Sequence, residues 1–205
     1  MIKLSTKKYS EAYRLLEQLK KNANYNVKFN IYIDYTERKV LSGFAFSKHS
    51  IFLTYKVVEI YSNKPVVLKS LLSHEFAHVI NGDLIRQNLK DKKYDIHTTR
   101  LINIIKEIRA EIVGATLAQL SPKEINSAQN IMMKVNENTR IIKESYLLKY
   151  PTRIQIKYFA KRYSDLTSDI IYYFIKSYVK HMKITDKTTK ETIQKNVEAR
   201  FSDYS

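Results

Sequence analysis

From residue 7 to residue 22 the apolar side chains Tyr9, Ala12, Leu15, Leu16 and Leu19 recur at helical spacing, with Lys and Glu on the opposite face. From Asn26 the period changes to two: Val27, Phe29, Ile31 and Ile33 alternate with polar partners, the pattern of a half-buried strand. Thr36 to Lys39 forms a polar turn, and Val40–Ser47 and Ser50–Thr54 complete a small, mainly antiparallel sheet. After Pro65, which suits a first helical turn, the pattern is helical as far as Asn81-Gly82, where glycine provides a stop. A polar, Lys-rich stretch over 83–96 separates this from a second long helix, Thr98 to Leu120, closed by Ser121-Pro122. Further helical segments fall at 122–148, 151–164 and 167–182. The fold class expected is α+β, a small sheet on a helical body, with one domain over 1–184. Residues 185–205 read as a polar C-terminal tail or a loosely held helix.

The first long helix carries His74-Glu75-Phe76-Ala77-His78, an H-E-x-x-H element. Imidazoles at i and i+4 stand one turn apart on the same face, so both reach one Zn²⁺ at about 2.0–2.1 Å. Glu75 points toward the same cleft but not at the metal, where it can take a proton from a water whose pKa zinc lowers to about 7. Two histidines need a further ligand, and the second long helix offers Glu107 and, one turn later, Glu111. Glu107, 29 positions after His78 (107 − 78), is close enough in sequence to return antiparallel as the third ligand. Glu111 would accept the other N–H of a ligand histidine and fix its tautomer. His97 is an alternative third ligand, whereas His49 and His181 read as surface or packing residues. The longer H-E-x-x-H-x-x-G-x-x-H pattern is absent, since Asn81 and Leu84 stand where it needs Gly and His. The three glycines, Gly43, Gly82 and Gly114, all fall near these elements, and Gly114 with Ala115 lets the two helices approach closely.

Composition narrows the field. The chain has 205 residues and no cysteine, which excludes a disulfide scaffold, thiolate ligands and a thiol nucleophile. Its start lacks an apolar secretory core, and its longest apolar run, Ile170 to Ile175, is far below the roughly 20 residues of a membrane span. A soluble, cytoplasmic protein is expected. The net charge of +16 is dispersed, with no block of like charges. Such a field favours acidic partners, so a non-catalytic basic domain that binds nucleic acid or an acidic protein, with or without zinc, is the alternative reading.

The run Ser73-His74-Glu75-Phe76-Ala77-His78-Val79-Ile80-Asn81-Gly82-Asp83 resembles the zinc helix of gluzincin metallopeptidases of the HtpX and CAAX-prenyl-protease type. Glu107 to Ala115 is similar to that family's E-x-x-A-D-x-x-G-A motif, with Glu111 where the family has Asp. Ser42-Gly43-Phe44-Ala45-Phe46 resembles the family's N-A-F-A edge strand, and Tyr150-Pro151-Thr152-Arg153-Ile154 a shortened H-P-x-x-x-R-I element with Tyr in place of His. The resemblance spans about residues 27–157, without the membrane helices usual in the family, so a stripped-down gluzincin or the ImmA/IrrE group is nearer. It implies a zinc endopeptidase with His74, His78 and Glu107 as ligands and Glu75 as base. It also implies a peptide substrate extended along Gly43, Phe44 and Ala45 by strand addition. Tyr150 is then a candidate hydrogen-bond donor to a developing oxyanion, or a packing residue. Arg153 either contacts substrate or an acidic group in the cleft, or forms a surface salt bridge.

Overall fold

The computed structural model describes residues 2–7, 9–84, 93–137 and 140–202. Its elements are β1 (Ile2–Lys3), α1 (Ser10–Asn22), β2 (Asn30–Asp34), β3 (Gly43–Ser47), β4 (Ser50–Thr54), α2 (Tyr55–Ile60) and α3 (Pro65–Ile80). These are followed by α4 (Ile96–Leu117), α5 (Pro122–Val135), α6 (Ile142–Leu147), α7 (Arg153–Ala160), α8 (Ser168–His181) and α9 (Lys187–Arg200). The architecture is α+β, with a four-stranded sheet in the order β1-β2-β4-β3. Two antiparallel pairings, β1 with β2 and β3 with β4, flank a parallel pairing of β2 with β4. The hairpin explains the order: β3 runs along the outside and the turn at Lys48-His49 folds β4 back between it and β2.

Alternation sorts the strands' two faces. Ile31, Ile33, Ile51 and Leu53 are buried against Leu16 and Leu19 of α1 and Leu72 and Phe76 of α3, forming the first core. On the other face Phe44 stacks on Phe52 at 4.8 Å, with Tyr32 stacked beyond at 5.0 Å. A second core gathers Leu101, Ile104, Ile105, Ile108 and Ile112 of α4 with residues of α6 to α9. Burying each of these aliphatic side chains is worth about 1.5–3 kcal/mol, so both cores hold α4 firmly.

Several elements differ in extent from the sequence pattern. The stretch 122–148 is two helices, because α5 ends at Val135, capped by Asn136, and α6 begins only at Ile142. Helix α4 begins at Ile96, where the Asp95 side chain accepts from the His97 and Thr98 amides and caps the turn. The expected loop 83–96 falls largely outside the described residues, since 85–92 are not among them. Beyond Thr185 the chain forms α9, whose Ile193 and Val197, with Phe201 after it, are fully buried in the second core. The polar sequence conceals this spacing of four. Among the described residues no helix is long and apolar enough to cross a membrane.

The two cores meet where α4 crosses α3. A Cβ on Gly114 would stand 2.8 Å from the carbonyl carbon and oxygen of Ser73 and 2.9 Å from the amide nitrogen of His74. Only a glycine lets the helices come this close. Gly114→Ala is therefore expected to force α4 outward at a cost of about 1–3 kcal/mol. For a chain of this size that lowers Tm by roughly 2–12 °C, measurable by calorimetry; an unchanged Tm would show that the crossing relaxes freely.

Candidate metal centre

Helix α3 presents His74 and His78 on one face, and α4 brings Glu107 opposite them through the close crossing at Gly114. The two Nε2 atoms lie 3.1 Å apart. Glu107 places Oε2 3.4 Å from His74 Nε2 and Oε1 3.6 Å from His78 Nε2. These three residues form a group able to hold a metal ion. Four ligands at about 2.0–2.1 Å in a tetrahedron stand roughly 3.3 Å from one another, close to the 3.1 Å between the two Nε2 atoms and to the distance from each to its nearer Glu107 oxygen.

The hydrogen positions that the surroundings favour make the same point. His74 Nδ1 faces Glu111 Oε1 at 3.4 Å, and His78 Nδ1 faces Asp83 Oδ2 at 3.5 Å. With the hydrogen of each neutral ring on Nδ1, toward its carboxylate, the two Nε2 lone pairs face one another, an arrangement that repels unless a cation or an extra proton lies between. Burial opposes protonation of both histidines, but Glu111 and Glu107 raise His74, while Glu107 and Asp83 raise His78 well above the ordinary value. Burial likewise works against ionisation of Glu107, yet the two imidazoles hold its carboxyl far below the usual range. The cluster is thus an acceptor-rich site that draws in positive charge.

The surrounding shell arises from local chain geometry. At the end of α3 Gly82 adopts φ 70°, and the Asp83 amide donates to the His78 carbonyl at 2.9 Å, a turn that doubles the chain back. That reversal carries the Asp83 carboxylate to His78. Its other oxygen accepts from Arg109 Nη2 at 2.6 Å, with both side chains only 1% exposed. Burial opposes ionisation of Asp83, but His78 and Arg109 together hold it below its ordinary pKa. Glu111 accepts from Gln129 Nε2 at 3.1 Å, and Arg153 Nη1 donates to Gln129 Oε1 at 2.8 Å while lying 3.9 Å from Glu111.

Glu75 is buried at the strand side of the cluster. Desolvation pushes its carboxyl pKa up, the two histidines and the Ala45 backbone pull it down, and Glu107 raises it again. A Cβ on Gly43 would stand 2.9 Å from Glu75 Cγ, so the absence of a side chain lets β3 lie directly over this carboxylate. His74, Glu75, His78, Glu107, Glu111, Gly43, Phe44, Ala45, Tyr150 and Arg153 all line one cleft of about 670 Å³. The Tyr150 hydroxyl is pushed up to about 12 by Glu107, by burial and by Glu75, against the pull of Arg153, which keeps it a hydrogen-bond donor.

His97 is elsewhere: it lies in the first turn of α4, its Nδ1 3.2 Å from the Tyr178 hydroxyl in the second core. His181 belongs to the same core, Nδ1 donating to the Ser177 carbonyl at 2.8 Å. The Asp83–Arg109 pair and Gln129 went unnoticed in the sequence. For Asp83 the signal was available, because a glycine stop one turn past the second histidine predicts that the next side chain returns toward it.

Removing Asp83 leaves Arg109 buried without its carboxylate, so Asp83→Ala should lose about 3–5 kcal/mol in urea unfolding. The depressed pKa fixes the pH dependence. In the wild type the contribution is complete above the unfolded value of about 4 and disappears as pH falls through the lower folded value. A difference between the two proteins that stays constant down to pH 2 would contradict this.

Compared with known protein families, with curated proteins and with solved structures, the chain matches none of them.

Proposed function

We propose that the chain is a zinc-dependent endopeptidase of the gluzincin kind, with His74, His78 and Glu107 as the metal ligands. The observation that carries this reading is the convergence of two imidazole Nε2 atoms and one carboxylate within 3.1–3.6 Å, beside a buried Glu75. Bound there, zinc supplies a Lewis acid and a nucleophile available at neutral pH. The chain's own residues do the rest. Glu75, buried beside the histidines with its pKa raised by desolvation, is the base that takes a proton and returns it to the leaving amine. Tyr150, held protonated, donates a hydrogen bond where the scissile carbonyl oxygen gains charge. The contacts of Arg153 with Gln129 and Glu111 support a role in holding Glu111 behind His74 over one in binding substrate.

Strand β3 supports the choice of a peptide. It ends the sheet order, pairs with β4 alone among the described strands, and lines the cleft with Gly43, Phe44 and Ala45. An extended segment adds to such an edge through main-chain hydrogen bonds, which suits substrates that vary in sequence.

Elemental analysis should find about one zinc per chain. Glu75→Gln should keep that zinc and lose cleavage by several orders of magnitude. Tyr150→Phe should keep zinc and lower kcat by roughly 10²–10³, and His78→Ala should lose both metal and activity. Equal turnover of a verified substrate by the wild type and Glu75→Gln would discard the mechanism.

A further inference from the structure

The carboxylates that line the cleft all turn inward. Glu107 meets the two histidines, Glu111 meets His74, Gln129 and Arg153, Asp83 is sealed against Arg109, and Glu75 is buried under β3. The exposed charges along the same walls are of the other sign. Arg140 and Lys149 line the cleft and are exposed, and neither is paired with a carboxylate among the described residues. Lys149 is presented by a turn of φ 67° between α6 and α7, beside the exposed side chains of Leu148 and Tyr150. Phe44 of β3 also lines the cleft and is 39% exposed. The cleft open to a peptide laid along this strand therefore presents Phe44, Leu148 and Tyr150 as exposed apolar groups and Arg140 and Lys149 as exposed cations, within a molecule of net charge +16.

We infer that the cleft selects acidic extended peptides, with an apolar or aromatic residue at the centre and Asp or Glu flanking it. Arg140 and Lys149 are the residues that read the flanking charge. This rests on the hydrolytic reading above and names its substrate class. The physical reasons are two: opposite charges steer encounter into the cleft, and a basic peptide is repelled by Arg140 and Lys149, which no carboxylate among the described residues pairs with.

The test uses the full chain as zinc-loaded Glu75→Gln, so that binding is read apart from turnover. Fluorescence anisotropy would compare two labelled peptides with the same Phe-Leu centre, one flanked by Asp and Glu and the other by Lys. The acidic peptide should bind roughly five- to tenfold tighter at low salt, with the difference shrinking as ionic strength rises. Adding Arg140→Glu and Lys149→Glu should abolish or invert that preference. Lys187→Glu with Lys195→Glu, on the exposed face of α9, changes net charge equally and should leave the preference intact. Equal affinity for the two peptides, no binding of either, or a preference that follows net charge in both double variants overturns the inference. Cleavage by the wild type separates the two readings. Acid-selective binding with neither peptide cut sinks the hydrolytic function alone, whereas both peptides cut at equal rates sinks the selectivity alone.

Discussion

The distance between α3 and α4 governs everything in the site. Ligands from one helix alone cannot surround an ion: His74 and His78 cover one side, and the opposite side must come from another element. Glu107 supplies it only because Gly114, two turns further along α4, removes the side chain that would otherwise strike the Ser73 backbone. The crossing point and the ligand cluster therefore behave as a lever and its tip. The apolar cores on either side supply the force that keeps the helices pressed together, and the polar cluster occupies the seam between them.

A seam of this kind concentrates charge that folding would otherwise avoid. Glu75, Glu107, Glu111 and Asp83 are brought together around two imidazoles, with Arg109 and Arg153 as counter-charges. Like carboxylates repel strongly where water is scarce, so the arrangement is stable only if positive charge is shared among them. Arg109 satisfies Asp83 and Arg153 offsets Glu111, which leaves Glu107 and the paired Nε2 atoms facing one another. The concentration of acid is thus directed at a single point.

How much of this could be read from the residues alone depended on whether the signal was local. His74, Glu75 and His78 declare themselves by spacing, and Pro65 and Gly82 bracket their helix. Glu107 and Glu111 were legible as a pair one turn apart on a helix long enough to reach back. The parallel pairing of β2 with β4 was not legible, because strand order depends on which way a hairpin folds and leaves the alternation of side chains unchanged. Nor was α9, where Lys and Thr outnumber the buried Ile193 and Val197, so the average polarity of the segment hid a sparse apolar stripe. Arg109 was invisible for a different reason: an arginine between two glutamates on a helix suggests a solvated face, and only the turn at Gly82 delivers the partner that buries it.

Arg109 has a second neighbour. Its guanidinium lies 5.5 Å from the centre of the Phe201 ring, which follows α9 into the second core. One cation therefore touches the end of the last helix on one side and the carboxylate that steadies His78 on the other. Fraying at that terminus would strip one face of the guanidinium's packing, and the disturbance would pass through Asp83 to the imidazole that it faces. Anything that docks on α9 or unseats it therefore acts on His78 through two intervening contacts.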